Sequence, residues 1–294
     1  MMVFKGSDGV RAGWRFAGFV VILVLLNMAL GNVLPPLGHA LGLSDAQLNE
    51  LSPLRMFLAE LSFFIPVLIA TYVMARLERR TVLAYGYTPS PAAKGFFVEG
   101  LALGVAAPAV VALCMLALGG MRIAGFGLHG SQWITYTLGW AVVMVLVGFS
   151  EEPMFRGYGL YALARGMGFW PAAIVMTLLF GAAHVTKPGE NALDICSVML
   201  LGFFTCFALW KTGSLWLATG FHAAFDFMQF FVIGTPNGSQ TPIGRLFDVS
   251  FPGPAWVNGG VLGTEASVFA IPVTLALFAY IAWRYRETRF TLPS

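Results

Sequence analysis

Six ionisable residues stand in stretches that otherwise carry almost no charge. They are Glu151, Glu152 and Arg156 in Ser-Glu-Glu-Pro-Met-Phe-Arg-Gly (150–157), His184 in Phe-Gly-Ala-Ala-His (180–184), and His222 and Asp226 in Phe-His-Ala-Ala-Phe-Asp (221–226). Glu152 and Arg156 are four apart, so on a helix they share a face and can neutralise one another. His222 and Asp226 have the same spacing, as do Phe180 and His184. Adjacent glutamates diverge by about 100° on a helix, so one can pair with Arg156 while the other points elsewhere. A carboxylate left beside apolar neighbours has its proton affinity raised, which suits a general base. Pro153 removes one backbone hydrogen bond and is expected to kink the helix just beyond the glutamates.

The elements that must position these groups follow from composition. Hydrophobic residues make up 58% of the 294 and charged residues 11%, with a mean hydropathy of +0.77. A soluble domain carries about 25% charge. A soluble enzyme, a disulfide scaffold and a disordered chain are excluded. A bilayer core about 30 Å thick needs roughly 20 apolar residues per helix, and eight windows qualify, near 16–35, 56–75, 97–118, 132–155, 169–186, 194–210, 214–233 and 267–283. The first is longer than the apolar region of a signal peptide and reads as a retained anchor. Strand periodicity is absent, so a β-barrel is not expected. The reading is all-α: one integral membrane domain over 1–294, a bundle of about eight transmembrane helices. Cys114, Cys196 and Cys206 fall inside the spans without paired spacing and read as small apolar residues. At membrane depth an ionisable group costs several kcal/mol unless paired or hydrated, which makes each of the six a functional hypothesis.

Basic residues fix the expected orientation, because they are retained on the cytoplasmic side of short loops. Lys5, Arg11, Arg15, Arg76, Arg79, Arg80, Lys94, Arg156, Arg165, Lys211, Arg284, Arg286 and Arg289 fall on one side, against Arg55, Arg122, Lys187 and Arg245 on the other. Both termini are expected in the cytoplasm, with the chain in a bacterial inner (cell) membrane. The formal charge of +3 then reports topology, and the lipid bilayer rather than a nucleic acid is the expected partner. If the fourth helix continues to Arg165 and reverses at Gly166-Met167-Gly168, Glu151 and His184 each lie roughly 24 Å along antiparallel neighbours and meet at one level.

These three motifs, in this order on polytopic helices, resemble the CPBP family of intramembrane proteases, which includes type II CAAX prenyl endopeptidases and Abi-like bacteriocin-processing or immunity proteins. The family signature reads Glu-Glu-x-x-x-Arg, Phe-x-x-x-His and His-x-x-x-Asn or Asp. It is matched here by Glu151, Glu152 and Arg156, by Phe180 and His184, and by His222 and Asp226, within a motif-bearing core at about 132–232. The resemblance implies eight helices around an intramembrane polar chamber open to the cytoplasm, where a bond in a peptide or protein substrate, prenylated or not, is hydrolysed near the membrane. It implies that Glu151 with His184 activates water, and that His222 and the residue four later stabilise the oxyanion. A preorganised donor in such a place is worth about 3 to 4 kcal/mol. Asp226 cannot donate a hydrogen bond unless protonated, so holding His222 or ligating a metal are its other expected roles. The metal is left open. Glu151, His184, His222 and Asp226 make a plausible zinc set, and the family is conventionally grouped with metalloproteases. Water activated by glutamate and histidine alone needs no ion, and no His-Glu-x-x-His helix exists in the sequence.

Plainer readings stand beside these. Glu152 and Arg156 would serve as a structural ion pair, His184 as a helix-end cap, and His222 with Asp226 as a fastening between helices. A proton-coupled transporter would use the same groups as a relay, but the sequence lacks the repeated halves expected of one. A serine protease would need Ser150 or Ser214, and neither has a Gly-x-Ser-Gly context. A non-catalytic membrane scaffold or immunity protein would keep the fold alone. Phe155 and Phe180 read as packing residues, and Glu60 and Asn27 as helix contacts.

Overall fold

The computed structural model describes residues 5–6, 9–185, 189, 191–238 and 240–293. Helices dominate: α1 (Ala12–Gly31), α2 (Leu34–Ala40), α3 (Asp45–Asn49), α4 (Pro53–Leu77), α5 (Ala93–Ala117), α6 (Gln132–Arg156), α7 (Tyr158–Met167), α8 (Phe169–His184), α9 (Ala192–Thr212), α10 (Trp216–Asp226), α11 (Ala255–Asn258) and α12 (Ala270–Arg284). A π-helical segment, Phe227–Ile233, extends α10. Among the described residues, sheet is confined to two antiparallel pairs. One joins β1 (Lys5–Gly6) to β2 (Gly9–Val10), and the other joins β3 (Arg122–Phe126) to β4 (Phe247–Ser250). The second was not legible as strand, because each member is short and lies in a loop.

Among the described residues, seven segments are long and apolar enough to cross a membrane: Ala12–Ala40, Pro53–Leu77, Ala93–Ala117, Gln132–Met167, Ala192–Thr212, Trp216–Ile233 and Gly260–Arg284. They coincide with seven of the eight expected spans. The remaining one, expected at 169–186, is α8, with 16 residues. At 1.5 Å per residue it reaches about 24 Å, short of a full crossing. Residue 186, its expected end, lies outside the described residues.

The fourth span differs from a straight helix. It runs unbroken through Pro153 and breaks at Gly157, where a Cβ would fall 2.3 Å from the Pro153 carbonyl oxygen. Gly157 N instead donates to that oxygen at 3.1 Å. The break redirects α7 onto α1 and α8. The helix therefore does not continue to Arg165, and the level shared by Glu151 and His184 cannot rest on that continuation.

Close backbone contact sets the register of α10. A Cβ on Gly100 would lie 2.2 Å from Leu217 O, one on Gly104 2.3 Å from Phe221 O, and one on Gly220 2.3 Å from Phe97 O. Small residues let α5 and α10 touch in this way. Gly148 brings α6 to the other side of α10, its Cβ position 2.8 Å from Thr219 O. α10 is thereby held between α5 and α6, and His222 lies within the span of these contacts, next to Phe221.

The two ends of the bundle differ in charge. At one end Arg15 Nη1 pairs with Glu78 Oε1 at 3.1 Å, Arg165 Nη2 donates to Pro293 O at 3.1 Å and Lys211 Nζ donates to Arg286 O at 3.2 Å. The Tyr85 hydroxyl there donates to Glu78 Oε2 at 3.1 Å, and burial together with the Glu78 carboxylate pushes its pKa up to about 12. Arg76, Arg79, Arg80, Lys94, Arg284 and Arg289 belong to the same end by their place at the ends of α4, α5 and α12. The opposite end carries Arg55, Arg122 and Arg245 among the described residues; Lys187 lies outside them. There Ile243 N donates to Leu51 O at 2.8 Å and Trp140 Nε1 donates to Ile243 O at 3.0 Å, tying the long loop after the π segment to α4 and α6. Arg156, counted from sequence among the topological charges, is fully buried inside the bundle.

Candidate functional site

Three helices bring the expected groups to one cavity of about 320 Å³. Its walls include Glu151, Glu152 and Arg156 from α6, Phe180 and His184 from α8, and His222 and Asp226 from α10. All six residues singled out by spacing therefore line one chamber. Glu152 is 1% exposed and joins two of the other groups. Its Oε1 accepts from Arg156 Nη1 at 3.3 Å and from His222 Nδ1 at 2.8 Å. The Arg156 guanidinium lies over the Phe180 ring, 4.4 Å from its centroid, which gives the delocalised cation a face to rest on. The helix spacing of 152 and 156 was readable in advance. The bond from Glu152 across to His222 was not.

With Nδ1 committed to Glu152, His222 turns Nε2 toward Glu151 Oε2 at 3.7 Å and Asp226 Oδ2 at 3.5 Å. Those separations are too long for firm hydrogen bonds. His184 Nδ1 lies 2.8 Å from the Phe180 carbonyl oxygen. A carbonyl only accepts, so Nδ1 carries the proton, and a neutral ring then has its lone pair on Nε2. The Phe-x-x-x-His spacing thus has a structural reason: the carbonyl of the first residue sets the tautomer of the second.

The chamber also includes residues with no assigned chemistry in the sequence reading. Glu60 of α4 faces it, its Oε2 3.2 Å from Ser150 Oγ. Gln229 and Glu265 line it too, joined by a Gln229 Nε2 to Glu265 Oε1 bond of 2.8 Å, and Thr264 donates to Gln229 Oε1. Isolated polar residues gave these no signal, except that Glu60 was a lone carboxylate within a span. Asn27 makes the expected helix contact, donating to Ser62 O at 2.9 Å. Ser150 donates to Leu146 O at 2.6 Å, Ser214 is buried, and neither lines the chamber, so neither is placed as a nucleophile.

Glu151, His184, His222 and Asp226, the zinc set raised from sequence, all line this chamber. Among the described residues no group of three His, Cys, Asp or Glu side chains is arranged to hold a metal ion.

Helices of membrane-crossing length, with buried acid–base groups around a chamber, define an integral membrane protein. The family comparison agrees: residues 133–228, a third of the chain, match the model described as Type II CAAX prenyl endopeptidase Rce1-like. This match is to a CAAX-type protease family, and it spans all three motifs. The chain is also 27% identical over 169 residues to the uncharacterized protein YyaK of Bacillus subtilis (strain 168), covering 55% of this chain and 52% of that one. The chain thus spans about half the length of the curated relative it matches.

Proposed function

We propose that the protein is an intramembrane endopeptidase that hydrolyses a peptide bond with water activated by Glu151. The observation that carries this reading is the convergence of Glu151, His184 and His222 from three helices on one chamber, with His222 locked by Glu152. Glu151 takes a proton as the water oxygen bonds to the carbonyl carbon, and His184 Nε2 accepts a hydrogen bond from the same water. The carbonyl oxygen becomes an oxyanion and is met by Nε2–H of His222 in its imidazolium form. As the C–N bond breaks, the proton held by Glu151 passes to the leaving amine, giving a new carboxylate and a new amino terminus. Glu152 and Arg156 are positioning residues acting through His222. Asp226, which lacks a donor when ionised, also acts on His222 rather than on substrate.

The test is cleavage of membrane-adjacent peptides, farnesylated CAAX and unprenylated, by purified protein with products read by mass spectrometry. Glu151→Gln and His184→Ala are each expected to lower turnover at least about 100-fold, the lower end of what general acid–base catalysis contributes. They should leave the unfolding temperature in detergent unchanged. Wild-type turnover in either variant would remove that residue from the mechanism. A chain that cuts nothing, with or without Glu151, would favour the scaffold reading.

A further inference from the structure

Away from the chamber, a cleft of about 730 Å³ lies between the start of α5 and the end of α12. On α5 it is lined by Ala92 and Gly95, small residues that keep the space clear; a Cβ on Gly95 would meet nothing within 4 Å. On the other side it is lined by Arg284, Arg286 and Arg289. The segment that carries the last two is pinned in place. Arg289 N and Phe290 N donate to Trp210 O at 3.2 and 3.1 Å, and Lys211 Nζ donates to Arg286 O. Glu99 and Glu287 line the cleft too, and Glu99 is engaged through both oxygens, accepting from the Tyr280 hydroxyl at 3.0 Å and from the Tyr285 hydroxyl at 2.5 Å. Among the described residues, none of the three arginines lies within ion-pair distance of a carboxylate.

A cation in the last turn of a helix is favoured by the helix dipole, which accounts for Arg284. It does not account for Arg286 and Arg289, two further like charges beyond that turn on the same cleft. The level of the cleft supplies the reason for them. α5 and α12 belong to spans of membrane-crossing length, Ala93–Ala117 and Gly260–Arg284, and the cleft stands where both leave the hydrocarbon. Trp283, 64% exposed, lies beside it with Tyr280, their ring centroids 6.1 Å apart, and such residues mark the headgroup level of a bilayer. Guanidinium groups bind phosphate through paired N–H donors, and basic pockets between membrane helices take anionic headgroups. We propose that the cleft binds the phosphodiester headgroup of an anionic phospholipid, held by Arg284, Arg286 and Arg289. The acyl chains run down the outward side of α5, where Val98, one turn beyond Gly95, is 53% exposed. The site owes nothing to the peptidase reading and stands apart from the chamber.

Lipid binding by the full chain tests this. Protein purified in detergent is titrated with phosphatidylglycerol or with phosphatidylcholine, and bound lipid is read by native mass spectrometry. Wild type is expected to prefer phosphatidylglycerol. The combined Arg284→Gln, Arg286→Gln and Arg289→Gln variant is expected to weaken that binding by about fivefold for each arginine removed. A control carries Arg11→Gln, Arg76→Gln and Arg79→Gln, exposed residues of the same end that do not line the cleft, and is expected to bind as wild type does. Gly95→Trp fills the cleft while every charge remains, and is expected to abolish the preference without a change in unfolding temperature. Equal affinity of wild type for the two lipids, equal loss in the control, or wild-type binding by Gly95→Trp would each overturn the proposal. Excess inorganic phosphate and glycerol 3-phosphate separate a lipid from a soluble anion. Neither is expected to displace phosphatidylglycerol, and displacement by either would assign the arginines to a soluble phosphate instead.

Discussion

Glu152 and Arg156 form the most enclosed charge pair of the site, and the pair is anchored at both ends: one partner holds His222, the other lies on Phe180. Removing one member of a buried ion pair leaves an uncompensated charge, at a cost of about 3 to 5 kcal/mol. Arg156→Met is therefore expected to lower the unfolding temperature markedly in detergent, whereas Glu151→Gln is not. If Arg156→Met melts like wild type, the pair is not what steadies this core. Glu152→Gln keeps the size and can still accept from His222 Nδ1, so it is expected to retain more turnover than Glu152→Ala; equal losses would deny Glu152 its positioning role. Metal dependence also belongs to this scale. Water activated by glutamate and histidine needs no ion, so cleavage is expected to persist in protein shown metal-free by elemental analysis and treated with 1,10-phenanthroline. Loss on chelation, restored by zinc, would return Glu151, His184, His222 and Asp226 to the role of a ligand set. Spacing revealed these residues because a four-residue interval fixes a shared helix face. It could not reveal that His222 binds Glu152, 70 residues away, rather than relying on Asp226 in its own helix. Nor did Glu60 declare itself, since a lone carboxylate acquires meaning only from what the fold places opposite it.

Among elements, the seam between α5 and α10 decides where His222 stands. Gly100 and Gly104 are four apart in Gly-Leu-Ala-Leu-Gly, a small-residue pattern present in the sequence, but its partner Gly220 lies more than a hundred residues later and only the fold names it. A side chain at Gly104 would meet backbone at 2.3 Å and has no flexible neighbour to displace there. Gly104→Val is expected to force the helices apart, destabilising by about 1 to 3 kcal/mol or more as overpacked cores do. It should also lower turnover, although residue 104 does not line the chamber. Unchanged stability together with unchanged turnover would show that the seam is not what sets His222. Hydropathy located the spans because burial in lipid demands long apolar runs. It also ended the fourth span correctly, at 155 against Arg156; the continuation to Arg165 failed because the break comes from one glycine meeting a carbonyl, a contact of a single residue that a window of 20 averages away.

For the molecule as a whole, low charge made the membrane and the number of large helices legible, and the uneven basic residues marked two unlike ends. Loops were less so: β3 and β4 pair across 120 intervening positions of chain in the register Ile123 to Val249, and nothing in either segment announces the other. One consequence follows from the brevity of α8. Its 16 residues end at His184, and about 24 Å of helix must be matched to a hydrocarbon layer of about 30 Å. Such mismatch is relieved by thinning of the adjacent lipid. The deformation would fall beside the groups that act on substrate, shortening the distance a polar segment travels from water to Glu151. Reconstitution in lipids of increasing acyl length is then expected to slow cleavage progressively while the protein stays folded, and a rate indifferent to acyl length would discard the idea. Bilayer thickness, on this view, belongs with the side chains among the quantities that set the reaction rate.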